Sequence, residues 1–244
     1  MTTMDAPAAA AAAAPFVRLL LVRHGESTNN NLMATSRDLY VRSRVPDAPL
    51  TERGRDQARR VGAALAACTV PVQHLYTSAM ARALETAAIA AAAAAAAASP
   101  TPPPHPLRPR VWTAVHEAGG LFEKAPAGDG GASGATYVGV QGLDADAMRR
   151  AFPAAVLPTD GSVPGADGAA KGDGIAAGGG EGAPGWWGRR PRETLEQCHV
   201  RARAVIARIK AWAMHLAFLR SAALAASGGG DASWSCPIDG VDLR

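Results

Sequence analysis

The sequence predicts an α/β protein, and three observations carry that prediction. Short apolar runs at 16–22, 70–76 and 111–115 alternate with segments of helical period. Each run ends abruptly in polar residues suited to chemistry. A long amphipathic stretch from about Glu193 to Ala223 then supplies a final helix. Sheets of this class bind ligands beyond the carboxyl ends of their strands. Here those ends carry Arg23, His24 and Gly25, then Thr77 and Ser78, then Glu117.

Taken in order, Phe16–Val22 is apolar apart from Arg18 and reads as a buried strand. Asn29–Asn31 open a loop that Pro46 and Pro49 close. Thr51 is placed to cap a helix with Glu52 in its first turn, where a carboxylate meets the positive end of the helix dipole. Ala58, Val61 and Leu65 share one face of it, with Arg55, Arg59 and Arg60 outside. Val70–Tyr76 is the second strand, with Pro71 at its beginning, where proline is tolerated. Thr77 or Ser78 caps the next helix, which runs through Arg82 and Leu84 into an alanine tract. That tract extends the helix, alanine being the strongest helix former, and its purity reads as low-complexity drift. Val111–Val115 is the third strand. From Ala125 to Gly185 the chain is rich in Gly, Ala, Asp and Pro and reads as an insertion, with one short helix within Gly142–Phe152. Trp186 and Trp187 read as packing anchors. Leu195, Cys198, Val205, Ile209, Trp212 and Leu216 form the apolar stripe of the last helix.

The expected organisation is a disordered Ala-rich leader at 1–15, one domain at 16–223 and an irregular tail at 224–244. Low-complexity sequence occupies 90–109. Of the 244 residues, 48% are hydrophobic but only 5% aromatic. Alanine supplies much of that total and buries little area, so roughly 150 residues remain to pack, the size of one ordinary domain. The net charge of +4 and pI near 9.3 favour an anionic partner. Basic residues do not form a stripe interleaved with aromatics, which argues against nucleic acid. Three cysteines without metal-ligand spacing read as reduced thiols of a cytoplasmic protein. The leader lacks a basic start and a leucine-rich centre, and no apolar run is long enough to span a membrane.

The candidate chemistry is phosphoryl transfer. Its catalysis is mostly positioning and charge stabilisation, which calls for fixed cations and N–H donors around the dianion. Arg23 offers a planar fork for two phosphate oxygens. His24 offers a ring nitrogen able to attack phosphorus in line. Gly25 allows close backbone approach, and Ser27 and Asn30 can donate further hydrogen bonds. Arg82 stands in the first turns of a helix whose N-terminus adds its dipole. Glu117 can protonate the leaving oxygen if burial or phosphate charge raises its pKa. Glu85 and Glu123 are alternatives for that role, and His116 is a candidate to line the pocket. His74, His105, His199 and His215 read as structural. No metal or organic cofactor is expected.

These residues carry a resemblance. Leu21-Val22-Arg23-His24-Gly25-Glu26-Ser27 followed by Asn30 resembles the signature of the histidine phosphatase superfamily, the phosphoglycerate-mutase-like group. Leu50–Ala58, Thr77–Ala87 and His116–Gly120 resemble the segments that follow it, in the same order. Phe152-Pro153 and Gly185-Trp186-Trp187 are similar, more loosely, to a mutase-like branch. The resemblance implies a three-layer α/β/α fold with a mostly parallel sheet. It implies a phosphohistidine at His24, with Arg23, Arg82 and a second histidine around the phosphoryl group and Glu117 as proton donor. The substrate would be a small phosphorylated molecule, hydrolysed or rearranged. The family's second histidine stands in a His-Gly pair after a late strand. The residues beyond Ala223 show neither, so a domain truncated before that strand is expected. The alternative function is a catalytically impaired phosphate-binding or interaction protein.

Overall fold

The computed structural model describes residues 17–97, 106–125, 137–158 and 185–226. The expected leader, most of the Gly-rich insertion and the tail beyond 226 lie outside the described residues. Two compact units divide the chain, Val22–Val205 with Leu243–Arg244 and Met1–Leu21 with Ile206–Asp242. All the candidate site residues fall in the first.

Where a loop was expected after Asn29, the chain forms two short helices, α1 (Thr28–Thr35) and α2 (Arg37–Ser43). Their start signals are local. The Ser27 hydroxyl accepts from the Asn30 amide while the Asn30 side chain accepts from the Ser27 amide, a reciprocal cap. Ser36 caps α2 through the Asp38 amide. Helix α3 (Glu52–Ala66) begins as expected, with Thr51 Oγ1 accepting from Gly54 N at 3.1 Å.

Strand β1 (Leu75–Thr77) leads into α4 (Ala81–Ala97), which includes much of the alanine tract. Neither Thr77 nor Ser78 caps it. Asp47 does, its Oδ1 accepting from Ala81 N at 2.9 Å. The tract is more than drift. Ala87, Ala90, Ala91 and Ala94 are buried, and α4 packs against α3, whose Gly54, Ala58 and Gly62 are buried. A side chain at Gly62 would collide with the Ala90 carbonyl oxygen, so small residues on both helices set their close approach.

Strand β2 (Pro109–Val111) pairs in parallel with β1, Tyr76 opposite Arg110. Val156 adds one bridge to its other side, with Val111 N donating to Val156 O at 2.9 Å. A 3₁₀ turn, Thr113–Val115, replaces the second half of the expected third strand. Strands β3 (Phe122–Lys124) and β4 (Tyr137–Gly139) form an antiparallel pair at the start of the expected insertion. Helix α5 (Ala145–Ala151) is capped by Asp144, and α6 spans Leu195–Ala226. On its expected stripe Leu195 is 68% exposed, and the side chain of Leu216 lies outside the described residues.

The first expected strand is absent. Residues 17–22 carry no regular structure, and Val17, Leu19, Leu20, Leu21 and Val22 are exposed. An apolar run becomes a strand only when a neighbour completes its hydrogen bonds, and no described strand pairs with this one. The fold is therefore mixed α and β with a small parallel sheet; the described strands do not form the larger layer that was expected. The core lies between β2, the start of α4, α5 and the segment at 185–190, and gathers Met80, Leu84, Val111, Leu121, Met148, Trp186 and Trp187. Both tryptophans are anchors, as read from the sequence.

Candidate functional site

The site is assembled from three segments of one unit. His24 and Gly25 lie just before α1 and are held from two helices. Gly25 N donates to Thr86 Oγ1 on α4 at 3.0 Å, and Thr86 Oγ1 donates onward to Arg82 O at 2.7 Å. Glu26 N donates to Gln57 Oε1 on α3 at 2.8 Å. The glycine is required by packing. A Cβ on Gly25 would collide with the carbonyl oxygen of Gly54, and one on Gly54 with that of Glu26. The freedom expected to admit a ligand is thus used to let two backbones touch.

His24 has its side chain 11% exposed. Nδ1 lies 2.6 Å from Gly25 O, and a carbonyl can only accept, so Nδ1 carries the hydrogen. The lone pair of the neutral ring is then on Nε2, which lies 3.8 Å from Glu117 Oε2. Burial, with the charges of Arg82 and Arg23, lowers the His24 pKa against the opposing pull of the Gly25 carbonyl and Glu117. The ring is therefore held neutral near pH 7, as a nucleophile must be.

Arg82 occupies the first turn of α4, its side chain 11% exposed, and Nη2 donates to Glu117 Oε2 at 2.6 Å. Nη1 lies 3.8 Å from Asp47 Oδ1. The first amide of α4 is already taken by that carboxylate, so Asp47 stands where an anion at the helix N-terminus was expected. Arg23 is exposed, and its positive charge acts on both His24 and Glu117.

Glu117 follows the 3₁₀ turn and is half-exposed. Burial pushes its pKa up, but the Arg82 hydrogen bond and charge, with His24 and Arg23, push harder and lower it. Without a ligand, burial alone does not raise the value, because Arg82 holds the carboxylate. Of the alternatives, Glu85 accepts from Arg55 Nε at 2.7 Å and from Leu50 N at 3.1 Å, and Glu123 lies on β3. Neither meets His24.

Ser27 and Asn30 bond to each other in the unliganded structure. Ser27 is 2% exposed, and its hydroxyl donates to Asn30 Oδ1 at 2.9 Å within the α1 cap. Asn30 still borders a cavity of about 410 Å³ that His24, Gly25, Gln57, Val61 and Thr86 also line. Neither Arg82 nor Glu117 lines it, so it lies beside the His24–Arg82–Glu117 triangle and does not contain it.

His116 does not line the pocket. It is buried, with Nδ1 2.6 Å from Thr113 O and its ring packed on Trp186 and Trp187. Burial, chiefly, and the charge of Arg201 lower its pKa to about 4. Sequence reasoning missed Asp47, Gln57, Thr86, Glu193 and Arg201. Gln57 and Thr86 lie inside the segments that carried the resemblance; the other three had no signal of their own.

Residues 19–102 match the family described as histidine phosphatase superfamily (branch 1). The matched segment includes His24 and Arg82 and stops before Glu117. No curated protein matches the chain. Among solved structures, one that it resembles is the ecdysone phosphate phosphatase of Bombix mori in complex with tungstate. The two are 24% identical over 39% of this chain and 43% of that one, with a TM-score of 0.27. The chain therefore spans less than half the length of that structure. Among the described residues no group of three or more His, Cys, Asp or Glu could hold a metal ion, and no helix is long and apolar enough to cross a membrane.

Proposed function

We propose that this chain is a cytoplasmic phosphatase of the histidine type, acting on a small phosphomonoester. The observation that carries the reading is His24, neutral, with its free Nε2 beside Arg82 and Glu117 in a histidine phosphatase segment. Nε2 attacks phosphorus, and the bond to the leaving oxygen breaks as Glu117 gives that oxygen its proton. Water then attacks the phosphohistidine, Glu117 takes its proton, and inorganic phosphate leaves. Arg23 and Arg82 bind the phosphoryl oxygens, with Gly25, Ser27 and Asn30 shaping the wall beside them. An arriving phosphate displaces Glu117 from Arg82. The carboxyl then loses its cation and gains an anionic neighbour, which raises its pKa toward the proton-holding state the first step needs. Hydrolysis is favoured over a mutase reaction because a mutase must keep water out, and Glu117 is 56% exposed on its side chain.

Incubation with a ³²P-labelled phosphomonoester, quenched in alkali, tests this. The unaltered chain is expected to retain acid-labile label, and His24→Ala to lose both the label and at least about a thousandfold in kcat/KM. Equal label in both, or none in the unaltered chain, refutes the nucleophile.

A further inference from the structure

The loop that presents Glu117 is gripped from behind. Arg201, on α6, donates from Nη1 to Ala114 O at 2.8 Å and to His116 O at 3.1 Å. Its Nε and Nη2 donate to the two carboxylate oxygens of Glu193 at 2.7 and 2.6 Å, a bidentate pair. Glu193 in turn meets the far side of the same loop. Its amide donates to Gly119 O at 3.2 Å, and its Oε2 accepts from Gly119 N at 3.4 Å. The side chains of Arg201 and Glu193 are 15% and 9% exposed, so little water competes for these bonds. Both residues precede Ile206 and lie in the unit that holds the site.

The pattern is specific. Four bonds reach the loop at 114, 116 and 119, on both sides of residue 117, while the Glu117 side chain itself pairs, among the described residues, with His24 and Arg82. Gly119 and Gly120 turn the chain with φ of 91° and 68°, and Gly120 N donates to Glu117 O at 3.2 Å, so the loop reverses just past Glu117. Nothing in the proposed chemistry uses Arg201 or Glu193 directly.

We propose that Glu193 and Arg201 are positioning residues that set the Glu117 carboxyl against the leaving oxygen, a role that rests on the phosphatase reading above. Misplacing a proton donor by about 1 Å costs on the order of a hundredfold, and only where the leaving group needs the proton. The effect must therefore depend on the leaving group. A purely structural pair would slow all substrates alike.

The test compares glycerol phosphate, whose alkoxide must be protonated, with p-nitrophenyl phosphate, whose phenolate leaves unaided. Arg201→Gln and Glu193→Gln are expected to lower kcat on glycerol phosphate about tenfold or more, with KM little changed and a much smaller loss on p-nitrophenyl phosphate. Arg201→Lys, which cannot bridge Glu193 and both carbonyls at once, is expected to behave like Arg201→Gln. In a Glu117→Gln background the same substitutions are expected to cost nothing further. Equal losses on both esters, or losses that multiply with Glu117→Gln, overturn the proposal. If Arg201→Gln melts too low to assay, Glu193→Gln carries the same comparison with the arginine in place. Failure of the phosphatase reading looks different: the unaltered chain hydrolyses neither ester in a His24-dependent way, and both conclusions fall together.

Discussion

The segment that carries His24 and the loop that carries Glu117 approach to 3.8 Å, yet they are held by different kinds of contact. The His24 segment is held by neutral groups and shape. A threonine and a glutamine, 61 and 31 residues away, accept its amides, and two glycines let its backbone lie on α3. The Glu117 loop is held by charge. A partly buried arginine–glutamate pair more than 70 residues away takes its carbonyls, and a neutral histidine packs beside it on two tryptophans. A site built this way has one side whose geometry should be insensitive to pH and one side that is not.

The sharpest break is expected on the first side. Gly25→Ala places a methyl group against the Gly54 carbonyl, backbone that no rotamer can move aside. A loss of roughly 3 kcal/mol or more is expected, since overpacking costs about 1–3 kcal/mol even where side chains can yield. Chemical denaturation at neutral pH measures it. A loss under about 1 kcal/mol would show that the two backbones do not touch.

On the second side the expected effect depends on pH. His116 is neutral in the fold, with its pKa lowered from 6.5 to about 4. As pH falls through 6.5 the unfolded chain takes up a proton that the folded chain does not. The histidine's contribution is therefore whole above about pH 6.5, shrinks as pH falls, and is gone near pH 4, where the fold protonates too. The shift corresponds to up to roughly 3 kcal/mol at 1.36 kcal/mol per pKa unit. Denaturation of the unaltered chain and of His116→Gln at pH 7 and 4.5 isolates this part, because the remaining titrating groups are common to both. The variant should lose less stability than the unaltered chain over that interval; parallel slopes would remove His116 as the cause.

A smaller effect returns to the His24 side. Thr86→Val removes the acceptor of the buried Gly25 amide and a donor to Arg82 O, at similar volume. About 1–2 kcal/mol is expected from the unsatisfied amide, with the same loss at pH 7 and pH 5. A loss that grows as the pH falls would mean that the two sides are not separable in the way their contacts suggest.

The difference between the sides also explains how much could be read in advance. The helix start at Thr51, the short helix within 142–152, the helix through Arg82 and the tryptophan anchors follow from local rules: a hydroxyl cap, a 3.6-residue period, a large apolar side chain. The reciprocal Ser27–Asn30 cap follows the same rule, but short polar residues serve ligand chemistry as well, so the sequence alone does not separate the two purposes. The strand expected at 16–22 failed for the opposite reason. Its apolar run is a necessary condition, and pairing, the sufficient one, belongs to another part of the chain. Burial alone does not raise the Glu117 pKa, because in the unliganded site Arg82 holds the carboxylate.

By itself, then, the sequence determined the motif order, a histidine next to one arginine in a motif that a second arginine follows, and the likeness of residues 19–102 to the histidine phosphatase superfamily (branch 1). These depend on residue type and short spacing, which local sterics and hydrogen bonding translate into structure. Only the tertiary structure decided that Asp47 takes the first amide of α4, that His116 packs on Trp186 and Trp187 and that Glu193 and Arg201 clasp the Glu117 loop. Each of those contacts joins residues tens of positions apart. No local pattern encodes them, because their partners are chosen by the packing of the whole unit and not by neighbours in the chain.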